Sequence, residues 1–174
     1  TFSVMVNEED HLRIQVLRSG FQLKKAWNAI DELDSSLEES LDFAFSPTLG
    51  YLTACPTNLG TGIRVSAMLH LPALVLSEQI NQIIQAVNKL GLAVRGLYGE
   101  GTEPNGHFYQ ISNQVTLGRS EEEILRNVEQ VIPAIIKYEN KAREDLMKKD
   151  RLRLEDRVWR AYGMLKLARI MSSD

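Results

Sequence analysis

One short segment near the start of the chain combines three acids, a histidine and an arginine. It runs Asn7-Glu8-Glu9-Asp10-His11-Leu12-Arg13. The apolar residues on both sides, 4–6 and 12–17, are typical of strands. If one strand ran through the segment, Glu9, His11 and Arg13 would share a face, because side chains alternate along a strand. A carboxylate and a guanidinium on one face suit a site that binds both a cation and an anion. The alternative is that the segment is an ordinary solvated turn.

The single cysteine lies where an apolar strand pattern ends in a turn. It opens the run Cys55-Pro56-Thr57-Asn58-Leu59-Gly60-Thr61-Gly62-Ile63-Arg64. Proline, asparagine and glycine favour tight turns, which present side chains at the edge of a cleft. A buried free cysteine is the common alternative. No histidine lies at a spacing that indicates a Cys–His dyad, so a cysteine hydrolase is weakly supported.

A glycine-rich stretch, residues 96–106, follows Arg95 and contains Glu100. Its four glycines favour mobility, as in lids that close over phosphate groups. The stretch matches neither the Walker pattern nor the dinucleotide fingerprint, so an ordinary surface loop is the alternative. The histidines of the chain have no metal-ligand spacing, and no metal site is predicted.

Charged residues are scarce between residues 46 and 118. Those that remain are Arg64, Glu78, Lys89, Arg95, Glu100 and Glu103. An unpaired charge in an apolar segment is costly, so these charges require a function or a partner.

The composition excludes several classes of protein. A net charge of -3 argues against broad nucleic-acid binding. The apolar runs are too interrupted to span a membrane. One cysteine cannot form an internal disulfide, and no signal-peptide pattern opens the chain. These features predict a soluble cytoplasmic protein.

The spacing of apolar residues predicts a mixture of strands and helices. Strands are expected at 4–6, 12–17, 49–53, 63–71, 92–97 and 108–111. Helices are expected at 21–42, from a Ser77 cap to Gly91, and from 121 to about 149, where a Ser120–Glu123 capping box begins the helix. Residues 150–174 are interpreted as the beginning of a second helical unit. Because the chain opens at Thr1 within a strand pattern and closes on an uncapped helical pattern, we expect both ends to be cut.

Together these segments resemble the ATP:guanidino phosphotransferases, the family of arginine and creatine kinases. The resemblance covers roughly residues 3–130 and rests on residues 7–13, 55–62, 95–100, 111–113 and 117–118. The Cys-Pro-Thr-Asn-Leu-Gly-Thr block is the family signature. Within the family the chain is most similar to the bacterial protein-arginine kinases. Glu100 lies at the spacing of a second guanidinium-binding carboxylate, and the helical pattern continues through residues 157–163.

The resemblance implies an α+β fold, in which an antiparallel β-sheet of glutamine-synthetase-like type is flanked by helices and followed by a long helix. Residues 1–147 would form the C-terminal part of a phosphotransferase catalytic domain. Residues 148–174 would form the incomplete start of a helical domain similar to a phosphoarginine-binding domain. The family's small N-terminal domain and a preceding arginine-bearing motif are missing from the chain, so weak or no activity is expected of it alone.

The implied reaction transfers the γ-phosphoryl group of ATP, with Mg²⁺, to the guanidinium of arginine residues in proteins. By resemblance, Glu9 would be the principal carboxylate at the guanidinium and Glu100 the second. The Cys55 thiolate would orient and polarise the guanidinium. The nucleotide phosphates would be bound by Arg13, Arg64 and Arg95, and the stretch 96–106 would close over the substrates.

Two alternatives stay open. One is a metabolic arginine kinase that acts on free arginine. The other is a non-catalytic fragment that uses the charged helix 121–160 as a dimer or docking surface. By resemblance, the partners would be proteins with accessible arginine, a heat-shock repressor, a Clp-type protease and a zinc-binding activator protein, in a stress response. A homodimer is open, whereas membrane and direct nucleic-acid partners are not expected.

Overall fold

Seven short strands and five helices follow one another along the residues that the computed structural model describes, 1–96 and 105–170. The strands are β1 (Phe2–Val6), β2 (Leu12–Val16), β3 (Phe45–Ser46), β4 (Gly50–Tyr51), β5 (Ser66–His70), β6 (Leu92–Gly96) and β7 (Phe108–Asn113). The helices are α1 (Leu23–Glu38), α2 (Pro72–Leu76), α3 (Ile80–Lys89), α4 (Glu121–Lys149) and α5 (Arg151–Leu167). Short 3-10 turns lie at Pro56–Asn58 and Asn105–His107.

The strands pair in three antiparallel sheets. β1 pairs with β2, β3 pairs with β4, and β7 lies between β5 and β6. In the three-stranded sheet, one row of partners is Ala67, Ile111 and Val94, and the next is Met68, Gln110 and Arg95. The α+β class with antiparallel strands flanked by helices is confirmed, with the strands divided among small sheets.

The hydrophobic core lies between the three-stranded sheet and the helices α2, α3 and α4. Its most buried side chains are Leu74, Leu92, Ile111, Val128 and Ile132. Burying each such side chain contributes about 1.5–3 kcal/mol, so this core fixes the sheet against α4. Strand alternation leaves Met68 and Arg95 exposed on the other face of the sheet. Arg95 therefore points away from the core.

The long helix α4 begins at the predicted capping box. The Ser120 hydroxyl accepts the Glu123 backbone N–H, and the Glu123 carboxylate accepts the Ser120 backbone N–H. Acids fill the first turn and Lys148 and Lys149 the last, as the helix dipole favours. The helix runs through Pro133, and α5 begins directly after Asp150. The division of the chain into two domains near residue 147 stays a prediction.

The helix predicted from Ser77 to Gly91 begins only at Ile80, as α3, so the expected Ser77 cap was wrong. Ser77 follows the end of α2, and its hydroxyl donates to the Leu74 carbonyl at 3.4 Å. Glu78 has a φ of 59°, which separates α2 from α3. Gly91, with a φ of 77°, does end α3 as expected, because glycine adopts that conformation without strain.

Within residues 1–96 and 105–170, no helix has the length and hydropathy needed to cross a bilayer.

A buried carboxylate joins α4 to the start of α2. Glu139 is only 3% exposed, and its two carboxylate oxygens accept the backbone N–H groups of Ala73 and Leu74 at 3.1 and 3.0 Å. Arg143, one turn later on α4, donates its Nε–H to the same carboxylate at 2.6 Å. The first N–H groups of a helix have no partner inside it, so Glu139 supplies partners that α2 lacks.

We predict that Glu139→Ala lowers the free energy of unfolding by about 2–4 kcal/mol, because it leaves buried N–H groups without an acceptor. Urea unfolding followed by circular dichroism measures the change. The exposed α4 residue Glu144 provides the control, Glu144→Ala, for which a change within about 0.5 kcal/mol is expected. Equal losses in the two variants would contradict the role of Glu139.

Candidate active site

The acid-rich segment forms a hairpin turn, the Glu9 turn (residues 7–11), between β1 and β2. Asn7 has a φ of 54°, and its backbone N–H donates to the His11 carbonyl at 2.9 Å. No single strand runs through the segment, so the condition for Glu9, His11 and Arg13 to share a face is not met. Arg13 instead pairs with the Glu8 carboxylate, with Nη1 and Oε2 3.1 Å apart.

Asp10 joins the Glu9 turn to the Cys55 loop (residues 53–62). One Asp10 carboxylate oxygen accepts the Ala54 backbone N–H at 2.6 Å, and the other accepts the Asn58 side-chain N–H at 2.9 Å. We call these two hydrogen bonds the Asp10 bridge. They connect residues 44 and 48 positions apart, and they bring the predicted Glu9 and Cys55 segments together.

The three consecutive acids differ in the hydrogen-bond partners that their carboxylates already have. Hydrogen bonds from the Glu9 backbone N–H and then from Arg13 lower the pKa of Glu8. The hydrogen bond from Asn58, aided by the one from Ala54, lowers the pKa of Asp10 although burial opposes it. Within the described part of the chain, the only side-chain partner of the Glu9 carboxylate is the Asn58 amide, at a long 3.4 Å. Glu9 is therefore the acid with most capacity to bind a ligand.

Cys55 makes two short polar contacts within its own loop. Cys55 precedes the 3-10 turn Pro56–Asn58, and the Thr53 hydroxyl donates to its carbonyl at 2.7 Å. Its Sγ lies 2.9 Å from the Thr57 hydroxyl oxygen. The cysteine is partly exposed rather than buried, so the alternative of a buried structural cysteine is wrong.

A second segment, at Thr116, also contacts the Cys55 loop. The Thr116 hydroxyl lies 2.7 Å from the Leu59 carbonyl oxygen and 3.1 Å from that of Thr57. The Thr61 backbone N–H donates to the Thr116 carbonyl at 3.2 Å. Gly60 passes so close that a Cβ there would lie 2.5 Å from the Thr116 carbonyl oxygen. Glycine is required at this position of the signature because the backbones touch.

An open cleft of about 1260 Å³ adjoins the Glu9 turn, between α1 and the Cys55 loop. Its acidic lining residues are Glu8, Glu9, Asp10, Asp31, Asp34, Glu38, Asp42 and Glu121. Burial, followed by repulsion from Glu38 and Asp31, raises the pKa of Asp34. The acids of α1 are not among the site residues predicted from the sequence. The i, i+3, i+7 spacing of Asp31, Asp34 and Glu38 was the signal that places them on one helix face.

The other predicted residues take no part in the Asp10 bridge or fall outside the described residues. Arg64 is exposed in the loop before β5, and Arg95 is exposed on β6. Within residues 1–96 and 105–170, neither arginine forms an ion pair, whereas Arg13 does. Glu100 and most of the stretch 96–106 fall in residues 97–104, outside the described residues. The structure thus brings the Glu9 and Cys55 segments together and leaves the phosphate-binding arginines as predictions.

The antiparallel strands and the Cys55 signature loop place the chain in the class of proteins that its sequence resembles. The family model for the ATP:guanido phosphotransferase C-terminal catalytic domain matches residues 1–142. The chain belongs to the ATP:guanido phosphotransferase family.

The chain is similar over nearly all its length to several bacterial proteins. It is 56% identical over 173 residues to the protein-arginine kinase of Caldanaerobacter subterraneus subsp. tengcongensis, covering 99% of this chain and 51% of that protein. It is 54% identical over 171 residues to the protein-arginine kinase of Bacillus subtilis, covering 98% of this chain and 47% of that protein. The chain therefore spans about half the length of the curated relatives it matches.

Solved structures of guanidino kinases share the fold. Lombricine kinase superposes with a TM-score of 0.72 and 30% identity, over 83% of this chain and 40% of that one. The substrate-free duplicated taurocyamine kinase from Schistosoma mansoni superposes with a TM-score of 0.70 and 33% identity, over 81% of this chain and 18% of that one.

We predict that Gly60→Ala lowers the free energy of unfolding by about 2–4 kcal/mol, since the new Cβ meets backbone and the φ of 108° disfavours alanine. Gly20→Ala is the matched control, because Gly20 also has a positive φ, 72°, but nothing lies within 4 Å of an added Cβ. Its cost should be about 1 kcal/mol. Urea unfolding compares the two, and a Gly60→Ala loss no larger than the Gly20→Ala loss would contradict the close packing.

Proposed function

We propose that this chain is part of the catalytic domain of a protein-arginine kinase, which transfers the γ-phosphoryl group of ATP to the guanidinium of arginine residues in proteins. The observation that carries the proposal is the Asp10 bridge, because it places the Glu9 turn against the Cys55 loop. Identity of 54–58% to several protein-arginine kinases over 98–99% of the chain supports the choice within the family.

The guanidinium of arginine is a poor nucleophile, because it is cationic and its pKa lies above about 12. A carboxylate that binds the planar fork and accepts a proton removes both obstacles. We assign this role to Glu9, since Glu8 and Asp10 already have strong partners. Glu100 is proposed as the second carboxylate and Cys55 as the group that polarises the guanidinium.

The proposed step conserves atoms and charge. A guanidinium nitrogen forms a bond to the γ-phosphorus of ATP, and the bond from that phosphorus to the bridging β-phosphate oxygen breaks. The proton released from the nitrogen passes to the Glu9 carboxylate, and ADP leaves. Excluding water from this site would limit hydrolysis of ATP, and the stretch 96–106 is proposed to close over it.

Arg13, Arg64 and Arg95 are proposed to bind the nucleotide phosphates. Arginine suits this role because its planar fork binds phosphate oxygens bidentately and keeps its charge. Arg64 and Arg95 are exposed, and Arg13 uses only Nη1 for Glu8, which leaves its other nitrogens for a phosphate. Mg²⁺ bound to ATP would neutralise charge on the phosphates during transfer.

The acidic cleft favours a substrate that carries positive charge around the reacting arginine. A cleft lined by one sign of charge raises the local concentration of the opposite sign. Identity to the small-guanidine kinases of known structure is lower, 30–36%, so a metabolic arginine kinase is the less supported candidate. The helical-domain assignment of residues 148–174, the protein partners, the stress-response role and the cytoplasmic location stay predictions.

We predict that Glu9→Ala abolishes phosphoarginine formation, a loss of at least about 100-fold, because the group that binds the guanidinium and takes its proton is removed. Since the chain spans half of its relatives, the assay uses a hybrid in which it replaces the matching segment of the Bacillus subtilis protein-arginine kinase. Acid-labile phosphoarginine on a protein substrate is the readout. The control is Glu32→Ala, which removes an exposed carboxylate from α1.

A hybrid with Glu9→Ala that phosphorylates at the rate of the Glu32→Ala hybrid would contradict the assignment. Turnover of free arginine but not of protein would favour a metabolic arginine kinase.

Cys55→Ser should reduce the rate in the same hybrid less than Glu9→Ala does, because a serine hydroxyl keeps the polar contact with Thr57 but lacks the sulfur that is proposed to polarise the guanidinium. The measurement is kcat with a saturating protein substrate. An unchanged kcat would restrict Cys55 to a structural role.

A further inference from the structure

The side-chain amide of Asn58 faces two neighbouring carboxylates at once. Its Nδ2 lies 2.9 Å from an Asp10 carboxylate oxygen and 3.4 Å from a Glu9 carboxylate oxygen. An amide nitrogen carries two hydrogens, so one can be donated to each acid. Asn58 is thus the residue through which the Cys55 loop contacts Glu9 itself.

Asn58 is also fixed relative to the thiol. It ends the 3-10 turn that Cys55 precedes, and its backbone N–H donates to the Cys55 carbonyl at 3.0 Å. Ala54, on the other side of the cysteine, donates its backbone N–H to Asp10 at 2.6 Å. The Asp10 bridge therefore contacts the loop both before and after Cys55, and it fixes the position of the loop relative to the Glu9 turn.

Hydrogen bonds and an ion pair offset the repulsion between the three consecutive acids. Like charges so close repel one another, and each would move away from the others unless bound. Glu8 is held by Arg13 and Asp10 by Ala54 and Asn58, so the carboxylate between them stays in place with its binding capacity largely unused.

We propose that Asn58 and Asp10 are positioning residues that, through the Asp10 bridge, hold the Glu9 carboxylate and the Cys55 thiol in the arrangement that receives a guanidinium. This inference rests on the proposed function and adds two residues to it. Neither residue transfers a proton or touches the phosphoryl group. They act on the rate by fixing the geometry of the groups that do.

The first test measures kcat and KM in the hybrid with Asn58→Ala and Asp10→Asn. Misplacement of reacting groups by about 1 Å costs about 100-fold, so kcat should fall about 10- to 100-fold. KM for ATP should stay within about 2-fold, because neither residue is assigned to the phosphates. The double variant should be no slower than the slower single variant, since both changes break the same bridge.

Two further variants separate positioning from loss of folding. Asn58→Asp keeps the size of the side chain but places a third carboxylate against Glu9 and Asp10, so its kcat should fall at least as far as that of Asn58→Ala. Asn81→Ala, on the exposed side of α3, is the matched control and should keep full kcat. Circular dichroism at the assay temperature measures the folded fraction. A purely structural role would leave kcat unchanged per folded molecule, and that result would overturn the proposal.

The second test needs no kinase activity. Cys55 is the only cysteine of the 174-residue chain, so the rate of its alkylation by iodoacetamide reports this loop alone. Breaking the bridge with Asn58→Ala or Asp10→Asn should loosen the loop and raise that rate about 3-fold or more relative to Asn81→Ala. Equal rates in all the variants would show that the bridge does not fix the loop and would overturn the proposal.

The two tests distinguish failure of the proposed function from failure of the positioning role. An unmodified hybrid without arginine kinase activity would overturn the proposed function, and with it the catalytic role of the bridge, even where alkylation depends on the bridge. An active hybrid whose bridge variants keep full kcat would overturn the positioning role alone.

Discussion

The Asp10 carboxylate makes the interaction on which the candidate site depends. Its two oxygens bind the Ala54 backbone N–H and the Asn58 amide, in a segment more than forty residues away along the chain. Without that contact, the turn that carries Glu9 would be the tip of a two-stranded hairpin, and such hairpins are marginally stable alone. With it, the carboxylate and the cysteine loop form one surface.

The rest of the fold supports the other half of that surface. The Cys55 loop lies against Thr116, and Gly60 allows the two backbones to touch. Residue 116 follows β7, the central strand of the sheet that packs on α4, so the loop is connected to the hydrophobic core. Glu139 adds a polar connection between α4 and α2. The Glu9 turn is therefore held by hydrogen bonds to a loop that the core itself positions.

Much of the fold could be predicted from local patterns in the sequence. Apolar spacing located α1, although the predicted range 21–42 was longer than Leu23–Glu38, and the capping box located the start of α4.

Local patterns gave wrong predictions where tertiary contacts or backbone geometry determine the structure. Ser77 is a good cap in isolation, but Pro72 begins a helix five residues earlier and Ser77 follows its end. Alternation failed at Glu9 because Asn7 turns the chain. The resemblance places Glu9 and Cys55 at one guanidinium, but no sequence pattern states that Asp10 joins their two segments, because a hydrogen bond over such a separation depends on the folded chain.

A crystal structure of the hybrid protein with an arginine-containing peptide would show whether a guanidinium binds between the Glu9 turn and the Cys55 loop. We predict that the guanidinium nitrogens lie within hydrogen-bonding distance of the Glu9 carboxylate, with the Cys55 sulfur beside them and the Asp10 bridge intact. A guanidinium bound elsewhere, with Glu9 facing solvent, would contradict it.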